Sequence, residues 1–143
     1  MKKSTNMRSP SVAIVGTGYW GKNLVRNFHE IGALKVICDT NEHTLQEYKD
    51  KYPNLETSTN LDQILSRSDI NGIVIATPAE THYTLAKKAI ISSKSVFVEK
   101  PLALNETEGK ELIKLSKENA VVLMVGHILQ YHAAVNKLKE LID

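Results

Sequence analysis

Three features of this 143-residue sequence predict a doubly wound α/β fold, a parallel sheet of about six strands with helices on both faces. Short apolar runs alternate with helix-like segments along the chain. A glycine-rich turn, Gly16-Thr17-Gly18-Tyr19-Trp20-Gly21, joins the first run to the first helical pattern, and an acidic residue, Asp39, ends the second run. Parallel neighbours cannot be joined by a tight hairpin, so each strand needs a crossover, and the helical stretches supply it.

Residues 1–10 are polar and basic and read as a flexible tail, with Pro10 marking entry to the first strand, Val12 to Val15. Trp20, Leu24, Phe28 and Ile31 then lay one apolar stripe along a helix that starts inside the glycine motif and stops at Gly32. Leu34 to Cys38, broken only by Lys35, is a second buried strand. Asn41 caps a helix running to Lys51 and ended by Pro53, and Asn60-Leu61-Asp62-Gln63 resembles a capping box opening a short helix. Gly72 to Ala76 is a buried strand broken at Thr77-Pro78, and the helix after it buries Leu85, Ala86, Ala89 and Ile90. Ser95 to Val98 is a further strand, Asn105 to Glu118 a helix with Asn105 and Glu108 as a second capping box, and Val121 to Val125 the last strand. A last amphipathic segment gathers Val135, Leu138, Leu141 and Ile142 on one face.

The glycine turn has a mechanical reading, because a dinucleotide pyrophosphate sits where free backbone N–H groups and a helix N-terminus converge. Gly16 lets the chain turn out of the strand, Gly18 keeps side chains away from the phosphates, and Gly21 lets the helix pack close to the sheet. Asp39, eighteen residues beyond Gly21, can accept hydrogen bonds from an adenosine ribose 2′-OH and repels a 2′-phosphate, which makes NAD rather than NADP the expected cofactor of this Rossmann-type unit. The letters Asp-Thr-Asn also suit a plain turn. Cys38 reads as a small buried strand residue.

Composition narrows the function classes. Eighteen basic and sixteen acidic side chains give a net charge of +2 without a basic block, which argues against nucleic acid. One cysteine forms no internal disulfide, and no metal-ligand spacing is present. No apolar run approaches a membrane span or a signal peptide, so a cytoplasmic location is expected.

Ligands of such sheets collect beyond the carboxyl ends of the strands, where this chain places Asp39, Thr77-Pro78, Glu99-Lys100-Pro101 and Gly126-His127. Lys100 follows an apolar strand and precedes a proline, whose ring holds it extended. A lysine beside a cationic nicotinamide exchanges protons nearer neutrality, which suits acid–base work. A surface salt bridge is the other reading of the same position.

Taken together, the glycine turn, Ala76-Thr77-Pro78 with His82 four residues on, and Glu99-Lys100-Pro101 resemble the cofactor domain of the glucose-fructose oxidoreductase and inositol dehydrogenase (Gfo/Idh/MocA) family, from about Ser11 onward. The resemblance implies hydride transfer between a sugar or cyclitol carbon and a nicotinamide. It implies that Lys100 is catalytic in proton transfer, that Glu99 orients it, and that Pro101 sets a turn whose preceding peptide is often cis. Thr77, Pro78 and His82 would line the nicotinamide side, and Tyr19, Trp20 and Gln130 join the implied cofactor-binding set.

Gly126-His127-Ile128-Leu129-Gln130-Tyr131-His132 and Gly18-Tyr19-Trp20-Gly21-Lys22-Asn23 are similar to stretches in dehydrogenases that oxidise C3 of UDP-N-acetylglucosaminuronate, although Ala133 stands where a proline is typical. Family members continue into a substrate domain that also forms the oligomer interface and supplies a histidine, often as Asp-x-x-x-His. Asp39-Thr40-Asn41-Glu42-His43 matches those letters but lies at the adenosine end. Residues 11–143 are therefore expected to form the cofactor domain alone, binding NAD with little turnover, and an apolar face near the last helix is expected to favour self-association. A non-catalytic dinucleotide-binding module, the cofactor half of a two-chain assembly, and a reductase of the biliverdin or dihydrodiol type are the alternatives.

Overall fold

The structure, a computed structural model, describes residues 10–142, so the expected tail over residues 1–10 lies outside the description apart from Pro10. Six strands form one sheet: β1 (Val12–Val15), β2 (Leu34–Cys38), β3 (Glu56–Ser58), β4 (Gly72–Ile75), β5 (Ser95–Val98) and β6 (Leu123–Val125). Between them run α1 (Gly21–Glu30), α2 (Glu42–Lys51), α3 (Leu61–Leu65), α4 (Ala79–Ile91) and α5 (Glu106–Glu118). A 3₁₀ turn (Ile128–Tyr131) and α6 (Ala133–Ile142) follow. All strand pairs are parallel and the order is β3-β2-β1-β4-β5-β6, so the chain reverses its direction of winding between β1 and β4.

Period-two alternation divides each strand between two cores. Ile14, Ile37 and Val74 point to the face covered by α1 and α2 through Leu24, Val25 and Leu45. Ala13, Val36, Ile73 and Val96 point to the other face, which Ile64 of α3, Ile90 of α4 and Leu112 of α5 cover. Strands buried on both faces read as unbroken apolar runs, which is why most of them were legible. The strand without an assigned run is β3, whose Glu-Thr-Ser sits at the sheet edge and is only partly buried. Edge strands need little apolar character, so no hydrophobic pattern marked it.

The three expected asparagine caps are present: Asn41 accepts from the N–H of His43 and Thr44, Asn60 from Gln63 and Asn105 from Glu108. The expected capping box at Asn60 is not closed, because the Asn60 N–H donates to the Ser58 hydroxyl instead of the Gln63 side chain, and among the described residues no Glu108 side-chain bond returns to Asn105. The α1 stripe needs correction. The helix begins at Gly21, and its buried residues are Gly21, Leu24 and Val25, with Phe28 packed beside them. Trp20 and Ile31 flank the helix and are 41% and 70% exposed. The shift matters because it frees the indole to serve the cleft. No residue of α6 is buried, and Val135, Leu138, Leu141 and Ile142 face outward. Among the described residues, no helix is long and apolar enough to cross a membrane.

Candidate active site at the carboxyl ends of the strands

Where the winding reverses, the loops after β1 and β4 part and leave a crevice. It holds two adjoining lobes of about 700 Å³ and 580 Å³ that share Trp20, Ala76 and Thr77 as common wall. Of the expected residues, Gly16, Gly18, Tyr19, Asp39 and Pro78 line the larger lobe, as do the shared Trp20 and Thr77. His82, Glu99, Lys100 and Gln130 line the smaller one. Gly21 lines neither.

The glycine turn is built by steric exclusion. Gly16 has φ +85°, and a Cβ there would lie 2.7 Å from Thr77 Cγ2 and 2.8 Å from the Ala76 carbonyl oxygen. At Gly21 a Cβ would run into the Gly16 carbonyl oxygen, so the bare Cα lets α1 start against the turn. A Cβ on Gly18 would meet nothing within 4 Å. That space faces the N-terminus of α1, which has no side-chain cap and no acidic residue in its first turn. The uncompensated positive end of this helix beside an open Cα fits a pyrophosphate. Tyr19 stands at the rim, 84% exposed, with the Lys22 ammonium 5.0 Å from its ring centre.

Asp39 crosses from the end of β2 to this turn. Its Oδ2 accepts from the Thr17 N–H at 2.8 Å and the Thr17 hydroxyl at 2.6 Å, and its Oδ1 accepts from the Asn41 N–H at 3.0 Å. Partial burial by itself would raise the carboxyl, but the Thr17 hydroxyl and the backbone N–H groups of Asn41 and Thr17 outweigh it and hold Asp39 below its ordinary 3.8. The carboxylate is thus charged and fixed at the larger lobe. Thr17 was missed as its partner; its place between two turn glycines was the available signal. Cys38, buried beside it, has its thiol pushed up to about 11 by burial and then by the Asp39 charge. Asn41 and His43 of the Asp-x-x-x-His match serve α2: Asn41 caps it, and His43 lies 3.5 Å from Glu47.

The smaller lobe is assembled from distant segments. The Trp20 indole N–H donates to Glu99 Oε1 at 2.8 Å across 79 positions of sequence. On its other side the Glu99 carboxylate rests on Gly126, where a Cβ would come within 3.0 Å of Oε2. Lys100 follows, exposed, and the Lys100–Pro101 peptide is cis. Thr77 shares a hydrogen bond with the Thr81 hydroxyl at 2.6 Å, which in turn donates to the Pro78 carbonyl at 2.7 Å and closes the entry to α4. His82 is 2% exposed, with Nδ1 2.6 Å from the Pro101 carbonyl oxygen and Nε2 2.8 Å from that of Thr77. Its ring forms part of the wall, yet neither nitrogen is left over for a ligand. Ile128, Leu129 and Gln130 close the lobe on the side of the 3₁₀ turn.

Known proteins share this architecture. Residues 11–127 match the family described as an oxidoreductase family with an NAD-binding Rossmann fold. The chain is 32% identical over 140 residues to the 2,7-anhydro-N-acetylneuraminate hydratase of Mediterraneibacter gnavus, covering 96% of this chain and 36% of that protein. It is 26% identical over 127 residues to the UDP-N-acetylglucosamine 3-dehydrogenase of Acidithiobacillus ferrooxidans, covering 89% and 40%. The crystal structure of GenD2 from gentamicin A biosynthesis in complex with NAD superposes with a TM-score of 0.78 at 27% identity, over 88% of this chain and 37% of that one. Biliverdin reductase of Synechocystis sp. PCC 6803 with biliverdin and NADP+ superposes with a TM-score of 0.84 at 25% identity, over 93% and 42%. The chain thus spans about two fifths of the length of these relatives. With the glycine turn, the Glu-Lys-Pro turn and the matched fold in one sheet, this chain belongs to the Gfo/Idh/MocA oxidoreductase family, whose NAD-binding Rossmann fold it carries.

Proposed function

We propose that these residues form the cofactor half of an NAD-dependent dehydrogenase of a sugar or sugar nucleotide. The observation that carries the reading is one continuous crevice with the fixed Asp39 carboxylate at one end and Lys100 at the other, separated by the glycine turn and the α1 N-terminus. Asp39 accepts from the adenosine ribose, the turn around Gly18 takes the pyrophosphate, and the smaller lobe takes the nicotinamide. Asp39 disfavours a 2′-phosphate by charge, so NAD is preferred over NADP.

NAD held in this crevice would supply the acceptor for a hydride from a carbinol carbon. Lys100 takes the proton from that carbon's hydroxyl in the oxidative direction and returns it in the reverse. Glu99, anchored by Trp20, sets the floor from which Lys100 projects. The sugar reading is supported by relatives whose names specify an anhydro-N-acetylneuraminate and UDP-N-acetylglucosamine. The 143 residues by themselves bind cofactor without turning over sugar. A second reading, the cofactor half of a two-chain assembly or a binding module, draws on the exposed Ile128 and Leu129 beside the smaller lobe, an apolar rim suited to another copy or another chain.

Calorimetric titration with NAD+, NADP+ and ADP-ribose tests the proposal. Binding of NAD+ clearly tighter than NADP+ is expected, and Lys100→Ala should leave NAD+ affinity within about threefold, because the lysine is exposed and its role is in proton transfer. Absence of binding by all three ligands would overturn the reading.

A further inference from the structure

β4 and β5 are neighbours, and their carboxyl ends carry the two turns that frame the smaller lobe, Thr77-Pro78 and Glu99-Lys100-Pro101. Among the described residues, the last backbone hydrogen bond joining these ends runs from the Glu99 N–H to the Ile75 carbonyl. Beyond it the ladder stops, and His82 spans the gap by touching the Thr77 and Pro101 carbonyl oxygens at 2.8 Å and 2.6 Å. Both oxygens only accept, so a neutral ring bonds one of them and a ring with both protons bonds both. Deep burial gives the imidazole one position, and the first turn of α4 fixes its backbone.

We propose that His82 is the positioning residue for Lys100, acting through the Pro101 carbonyl. It holds the Glu-Lys-Pro turn at a set height over Thr77, and the exposed Lys100 side chain inherits its origin from that turn. The inference rests on the reading that the smaller lobe takes the nicotinamide, and it gives His82 a role without direct contact to the cofactor.

The test compares NAD+ with ADP-ribose, which keeps the adenosine, pyrophosphate and second ribose but lacks the nicotinamide. His82→Leu removes both contacts. His82→Asn keeps a donor near the Nδ1 position that faces Pro101, and His82→Gln keeps one near the Nε2 position that faces Thr77. In His82→Leu the Glu-Lys-Pro turn moves and the wall of the smaller lobe moves with it, so the NAD+ to ADP-ribose affinity ratio is expected to fall about tenfold, the equivalent of one buried hydrogen bond, through the wall rather than the Lys100 ammonium, while ADP-ribose affinity stays within about twofold. His82→Asn should retain the ratio and His82→Gln should lose it, and the Lys100 amide resonance should move in Gln and Leu only. If His82→Leu does not fold, the Asn and Gln variants decide by themselves. An unchanged ratio in Gln, or both ligands weakening together, overturns the inference while leaving the cofactor reading standing. A parent chain that binds neither ligand overturns both.

Discussion

Replacing Asp39 with alanine removes the acceptor at the adenosine end of the crevice, and the geometry sets how much this should cost. A carboxylate offers about four acceptor positions. Three are taken by the Thr17 N–H, the Thr17 hydroxyl and the Asn41 N–H. About one remains for a ribose hydroxyl, so a single charge-assisted bond is at stake, about 1.5–3 kcal/mol or roughly 10- to 100-fold in Kd. Asp39→Asn keeps one oxygen but removes the charge, so it should weaken NAD+ less and narrow the preference over NADP+. The pH dependence follows from the sign of the shift. The folded carboxyl lies below its ordinary 3.8, so its contribution is fully present above that value and is lost only as pH falls through the lower folded value. Titration calorimetry from pH 5 to 8 should therefore find the Asp39 contribution flat. Because the carboxylate also ties the glycine turn, circular dichroism must show each variant folded at the titration temperature. NAD+ affinity within twofold of the parent in a folded Asp39→Ala chain would refute the assignment.

Other outcomes separate fold from site. Gly21→Ala drives a methyl into the Gly16 carbonyl and should cost roughly 1–3 kcal/mol in denaturant unfolding, whereas Gly18→Ala, facing open space, should stay within about 0.5 kcal/mol yet weaken NAD+ binding. Equal stability losses in the two variants would contradict the steric account. Cys38, buried with its thiol near 11, should resist iodoacetamide at pH 7.5 until guanidinium unfolds the chain; alkylation at the rate of a free thiol in the folded protein would speak against its burial. The apolar face of α6 should make the chain self-associate with rising concentration in sedimentation velocity, and Leu138→Glu with Ile142→Glu should return it to monomer. A monomer at all concentrations would exclude that face as a contact between copies.

What could be read from the chain alone lies in short segments whose physics is local. The buried parallel strands show as apolar runs, the asparagine caps sit next to the N–H groups they satisfy, and the glycine turn and the lysine before a proline occupy consecutive positions. Asp39 was legible because a strand end followed by a carboxylate at this distance from the glycines is itself a pattern. Only the tertiary structure decided the rest. β3 carries no apolar signal because an edge strand needs none. Trp20 has the spacing of a helix-stripe residue, yet it stands before the helix and its indole reaches Glu99, 79 positions away. Thr17 became the partner of Asp39 only when β1 and β2 were paired in register. His82 is the clearest case, since helical spacing says which face of α4 it occupies but not that two carbonyls, 5 and 19 positions away, converge on its ring. Local interactions are written in neighbouring letters; contacts across the sheet depend on strand order and register, which no short stretch of sequence contains.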